Sequence, residues 1–368
     1  MSATIKFSNK NKTDFHRVVT KRVDAYFAEK GISKNGDYRM VFKTAFMFAL
    51  YFIPYGLIIS GVLPLYAMWF CTVLMGLGLA GIGMSVMHDA NHGAYSSKSW
   101  LNQVLGYSLN IVGGDAFNWK IQHNQLHHTY TNIHGFDQDI RPRVNLRLTP
   151  AVARNFFHRF QVVYAFALYS LQTFFWVIVK DFMQFDQYLQ FHSEANDKKE
   201  KTVRLLNILL FKAIYYFYIL VIPMLVLPIA WWQILLGFLT VHIVGGLVLT
   251  TVFQLAHVVE GTEYPEPVNG VIEAEWAIHQ MQTTANFAPK NKLITFFVGG
   301  LNYQIEHHLF QRICHVHYPA IAPIVEQTAK EYGVPYLNNE TFGSAVASHA
   351  RMLNRLGWYE TLKASSEF

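Results

Sequence analysis

TAFMFALYFIPYGLIISGVLPLYAMWFCTVLMGLGLAGIGMSVMH, residues 44–88, contains no Asp, Glu, Lys or Arg. Its 45 residues allow two helices of about 20 residues, each long enough for a hydrocarbon core of about 30 Å. Gly61-Val62-Leu63-Pro64 supplies a tight turn between them. The arithmetic repeats from Ala213 to Val259, where 47 residues carry no formal charge and Leu227-Pro228-Ile229-Ala230 marks the turn. The two stretches read as helical hairpins, 43–64 with 66–88 and 207–227 with 231–256. Two hairpins buried inside a soluble protein are the alternative, but uncharged stretches of this length are hard to explain without lipid.

The fold expected is an all-α integral membrane protein, with four transmembrane helices in two hairpins and a cytoplasmic helical cap. Nearly all Lys and Arg fall in the N-terminal segment, the 89–212 region and the C-terminal third. The positive-inside tendency places all three, and both termini, in the cytoplasm. Residues 1–42 form a cytoplasmic segment, with an amphipathic helix around Phe15–Glu29 suited to the bilayer surface. The membrane domain runs over 43–334, its cap drawn from 89–206 and 257–334, and 335–368 is a tail. The apolar section Val162–Val179, interrupted by Gln172, is expected to lie at the interface, because a fifth span would need a sixth to restore the topology.

Composition agrees. Of 368 residues, 52% are hydrophobic and only 15% are charged, against about 25% in an average soluble domain. The formal charge of +6 does not indicate nucleic acid, since no basic cluster is interleaved with recognition aromatics. Cys71 and Cys314 are too few for a disulfide or thiolate framework, and Cys71 sits in an apolar run. The polar N-terminus lacks the apolar core of a signal peptide.

Histidine is the unusual residue. Of 17, many fall in three groups: His88-Asp89-Ala90-Asn91-His92, His123-Asn124-Gln125-Leu126-His127-His128 and Gln304-Ile305-Glu306-His307-His308. On an α-helix, residues four apart share a face, so His88 with His92 and His123 with His127 converge. The second histidine of a doublet is rotated by about 100° and can reach a second metal. The topology puts all three groups on one side of the membrane. One HxxxH pair is weak evidence; three groups on one side make a multi-imidazole metal centre. Imidazole suits iron, zinc and copper alike, and seven histidines exceed the needs of one catalytic zinc. The Glu and Glu-x-x-His ligands of soluble four-helix di-iron proteins are missing.

HDANH, HNQLHH and QIEHH resemble the three histidine boxes of the membrane fatty acid desaturase superfamily. GDAFNWKIQHNQLHHTYTN and FFVGGLNYQIEHHLF resemble its front-end branch, which contains acyl-CoA and acyl-lipid desaturases. The likeness runs from the first span to about residue 325. It implies two non-haem irons held by His88, His92, His123, His127, His128, His307 and His308, with dioxygen as co-substrate and a cis double bond as product. It also suggests a further ligand, His257, at the end of the fourth span. Gln304 replaces a histidine of other branches and is either a weak ligand or a hydrogen-bonding neighbour. Asp89, Asn91, Asn132, Asp137, Asp139 and Glu306 are candidates to hold ligand imidazoles, or else to cap helices or pair with Arg141 or Arg143. Lys98, Lys120, Arg141, Arg143 and Arg147 offer a basic approach for an electron donor or head group. The sequence has no His-Pro-Gly-Gly haem motif, so the donor expected is a separate ferredoxin, or cytochrome b5 with a reductase. A fatty acyl-CoA or acyl-lipid is the expected substrate. The alternatives are a membrane hydroxylase with nearly the same centre, and a non-enzymatic metal-binding or transport protein.

Overall fold

The computed structural model of the protein describes residues 5–8, 13–141, 145–189 and 198–359. Among the described residues, four helices are each long and apolar enough to cross a membrane: Tyr38–Ile59, Leu65–Asn91, Lys198–Val226 and Trp231–His257. They bear out the four expected, and the longer ones exceed the thickness of the hydrocarbon core at about 1.5 Å per residue. Local chemistry sets their ends. The Asp37 carboxylate accepts from the Arg39 N–H, starting the first helix before the apolar run. Gly61 takes a left-handed φ of 69° just beyond its end. The third helix begins in a charged turn, with Glu200 and Arg204 paired four residues apart, because charge stops a membrane span without stopping a helix.

The chain divides into two compact units, one of residues 36–122 and 166–251, the other of 1–35, 123–165 and 252–368. In the first unit, Met40, Met47, Tyr51, Pro54 and Ile58 are buried along one face of Tyr38–Ile59. Val41, Phe42 and Ile53 on other faces are 65%, 64% and 61% exposed, a surface that belongs in lipid rather than water. Leu65–Asn91 is the enclosed span. Glycine permits this: a Cβ on Gly78 would stand 2.7 Å from the Tyr51 nitrogen, so the first two helices touch backbone to backbone. Two polar pairs within the spans are hydrogen-bonded, Tyr215 Oη with His242 Nε2 at 2.8 Å and Tyr51 Oη with Tyr218 Oη at 2.9 Å. An apolar cavity of about 450 Å³ opens among Tyr55, Trp69, Met75, Trp232, Phe238 and Val241. The stretch expected at the interface is a bent pair, Phe156–Ser170 and Gln172–Phe185, at 51°.

In the second unit, helix Phe15–Lys30 buries Phe15, Val19, Val23 and Phe27 against Ile321, Val325 and Ala329. This corrects the expectation of a surface-lying amphipathic helix, because a protein partner takes up its apolar stripe. Two short parallel pairs close the unit: β1 (Lys6–Phe7) with β2 (Val271–Ile272), and β3 (Ala285–Phe287) with β4 (Leu337–Asn339). Residues 336–359, expected as part of a tail, are therefore integral to the unit. Helix Phe342–Trp358 is among them, and its His349 Nδ1 meets the Val258 carbonyl at 2.6 Å.

Candidate metal centre

Asp115 caps the helix that leads into the second histidine group, its carboxylate accepting from the Asn118 N–H. The helix then widens into a π-turn over Ile121–His127. α-Helical geometry would turn His128 away from His123. A π-turn closes i to i+5 instead, and it returns His128 to His123, their Nε2 atoms 3.1 Å apart. His257 ends the fourth span, and His307 and His308 lie on the short helix Gln304–Leu309. The rings of His127, His257 and His308 form a nearly equilateral triangle, with centroids 4.7, 5.0 and 4.9 Å apart. One ring nitrogen from each lies within 4.8 Å of the others. His128 joins His307 at 4.6 Å and His308 at 4.3 Å, and His123 stacks on His307 at 5.8 Å. All six are buried. In the other unit, His88 and His92 are 4.7 Å apart and both turn toward the edge or face of Trp119.

Each ring of the triangle places Nδ1 against an oxygen. His127 meets Asp137 Oδ2 at 3.1 Å, His257 the Thr283 carbonyl at 3.2 Å, and His308 Gln280 Oε1 at 2.7 Å. His307 Nδ1 lies 3.2 Å from Tyr318 Oη. A proton on Nδ1 leaves Nε2 as a bare lone pair. The Nε2 atoms of His127 and His257 are buried with no hydrogen-bond partner, an arrangement that costs about 1–3 kcal/mol per polar group unless something binds there. Three converging imidazole lone pairs fit a transition-metal ion. Burial alone would lower the His127 pKa, but Asp137, with Asp139 behind it, more than reverses this. For Asp137 burial acts upward, yet His127 and the N–H groups of Asp139 and Asn132 bring its pKa below the usual carboxylate range.

The expected supporting residues divide. Asp137 holds an imidazole directly; Asp139 stands 3.9 Å from His127 Nδ1 and donates its N–H to Asp137. Asn132, at a left-handed φ of 58°, donates to the carbonyls of His257, Glu263 and Thr283. It therefore fixes backbone around the site rather than a ring. Asp89 lies 3.7 Å from His88 Nδ1, and Asn91 donates to Met87 Sδ and the Gly106 carbonyl. Glu306 is a correction. Its oxygens accept from Asn286 Nδ2 and Tyr336 Oη, both at 2.8 Å, so it ties helix Gln304–Leu309 to β3 and the chain before β4. Burial raises its pKa to about 7. Gln304 opens that helix and is buried. Gln280, Thr283 and Tyr318 escaped the sequence reading, since no spacing connects them to the histidines they serve. The only signal was an uncharged polar run, Gln280 to Asn286, in a capping segment.

Of the basic residues, Lys98 and Arg141 are exposed, Lys120 is half-buried, and Arg143 lies outside the described residues. Arg147 is a second correction. It is 1% exposed and donates to the carbonyls of Val152, Leu356, Tyr359 and Pro150 at 2.6–2.8 Å. Its fork of donors locks the end of the C-terminal helix and cannot reach a partner.

A family model described as fatty acid desaturase matches residues 63–339. The chain is 37% identical over 359 residues to an sn-1 linoleoyl-lipid 6-desaturase of Synechocystis, covering 96% of this chain and 98% of the relative. A protein of the same description from Arthrospira platensis is 34% identical, with 99% and 98% covered. An acyl-lipid (8-3)-desaturase of Physcomitrium patens is 34% identical over 97% of this chain and 75% of its own length.

Proposed function

This chain belongs to the fatty acid desaturase family, and from that premise we propose that it is a front-end acyl-lipid desaturase working with two non-haem irons. The relatives named for acyl-lipid substrates align over nearly its whole length, which favours a lipid-bound chain over coenzyme A. The observation that carries the metal reading is the triangle of His127, His257 and His308, each ring held through Nδ1. These three hold one iron. His123, His128 and His307 would serve the other; His88 and His92, the first box, are further iron ligands by the family resemblance. When bound, the irons supply the oxygen chemistry that removes two hydrogens from an unactivated chain, with two electrons from outside. The protein's own residues orient the imidazoles, fix their tautomers through Nδ1 and enclose them away from water. The apolar cavity among Tyr55, Trp69, Met75 and Phe238 suits a hydrocarbon chain. A separate ferredoxin or cytochrome b5 delivers the electrons, and the exposed Lys98 and Arg141 suit an acidic donor.

The test is expression in a host supplied with defined saturated and unsaturated chains, followed by double-bond mapping in each lipid class. A new double bond on the carboxyl side of an existing one, in glycerolipid, is expected. A hydroxylated product without a double bond would move the chain to the hydroxylase reading.

The distribution of Lys and Arg favours cytoplasmic boxes and termini. Single cysteines beside Pro64 or Pro228 should react with an impermeant thiol reagent outside intact cells, and cysteines near His92 or His308 should not. Outside labelling of the box region would reverse the orientation.

A further inference from the structure

We propose that Gln280 is a positioning residue for the iron held by His127, His257 and His308, and that its neutral amide sets that iron's reduction potential. The inference rests on the reading that these imidazoles hold an iron. Gln280 Oε1 lies 2.7 Å from His308 Nδ1 and 2.9 Å from Thr131 Oγ1. An amide oxygen has two lone pairs, so it has room to accept from both. Gln280 is 1% exposed, and water does not compete for its oxygen.

The orientation of this amide decides whether His308 can bind metal. With Oε1 toward the ring, the proton sits on Nδ1 and Nε2 keeps its lone pair. Reversed, the amide NH₂ would donate to Nδ1, move the proton to Nε2 and close the metal-facing nitrogen. Thr131 Oγ1 stands 2.9 Å from Oε1 and 2.7 Å from the carbonyl of His127; its single proton can go to either, so it sits between the acceptor for His308 and the backbone of a second ligand. The helix Trp276–Thr283 therefore serves two corners of the triangle: Gln280 holds His308 by its side chain, and Thr283 holds His257 by its carbonyl.

The charge of the acceptor is the second half of the argument. His127 has a carboxylate behind it, which raises ligand basicity and favours oxidised metal. Glutamate at 280 would preserve the hydrogen bond but add a second buried negative charge to the same three-ligand set. Glutamine fixes the ring without that charge. The structure thus gives one corner an anionic support and two corners neutral ones, a mixture that keeps this iron reducible by a mild donor.

The experiment uses the full-length membrane protein loaded with ⁵⁷Fe, as wild type, Gln280→Ala and Gln280→Glu. Iron per protein under a chelator challenge, Mössbauer spectra and midpoint potentials are measured. Gln280→Ala is expected to release one iron about 10–100-fold more readily while the other stays. Gln280→Glu, which keeps volume and acceptor, is expected to retain both irons and lower the potential of one. Wild-type retention and spectra in Gln280→Ala, or an unmoved potential in Gln280→Glu, would overturn the proposal. Wild type that holds zinc or a single iron would instead remove the di-iron reading beneath it, so the two failures are distinguishable.

Discussion

Replacing His257 with Ala is expected to reduce desaturation to less than about a hundredth of the wild-type rate, since loss of a ligand should exceed the 10–100-fold cost of losing its support. His257 lies outside the three boxes, yet its ring is 4.7 Å from that of His127 and 4.9 Å from that of His308. Removing it leaves the triangle with two donors, too few to hold an ion against chelation. The fold should survive. Alanine is the best helix former, and the carbonyl of residue 257 keeps its bonds from Asn132 and Thr262. The Thr283 carbonyl, deprived of the imidazole, still has Asn132 at 3.4 Å. Iron per protein and product per minute should fall together at normal membrane expression. Near-normal turnover would exclude His257 from the metal centre.

The second large effect is on stability. Lys212 Nζ lies 2.7 Å from Asp181 Oδ2, both side chains are at most 5% exposed, and the ammonium also donates to the carbonyls of Gly113 and Trp176. Lys212→Met would leave a buried carboxylate whose remaining side-chain partner is Trp176 Nε1 at 2.7 Å. Breaking such a pair from one side costs about 3–5 kcal/mol. Asp115 adds to the cost, since burial and then the nearby Asp181 already raise its pKa to about 6, and Lys212 is the cation that opposes them. Pairing Lys212→Met with Asp181→Asn removes the stranded charge and should recover most of the loss. Unfolding in detergent, followed by denaturant titration, reads both. A single variant as stable as wild type, or a double variant no better than the single, would refute the assignment of stability to this pair.

What was legible in the chain was what one segment can show by itself. Absence of charge over 44–88 and 213–259 is a local property, and it located the four helices. The histidine groups are local too, and they located the buried clusters. The remainder depends on partners far away in sequence. Gln280 reaches His308 across 28 residues, and Arg147 reaches Leu356 across 209. A composition rule sees a polar residue in the first case and a surface charge in the second. The helix Phe15–Lys30 shows the same limit. Its stripe of Phe15, Val19, Val23 and Phe27 specifies that something apolar covers it, but not that the cover is Ile321 and Val325 rather than lipid.

The π-turn at Ile121–His127 separates two kinds of change that are usually treated alike. Such a turn is an α-helix with one residue too many. Gln125 lies on its exposed side, so many side chains would serve there equally well. Deleting the residue is another matter. The segment would relax to ordinary α-helix, turning everything before it by about 100° relative to everything after. His123 would swing off His128 while keeping all its own chemistry. Gln125 is therefore dispensable as a side chain and indispensable as a unit of length.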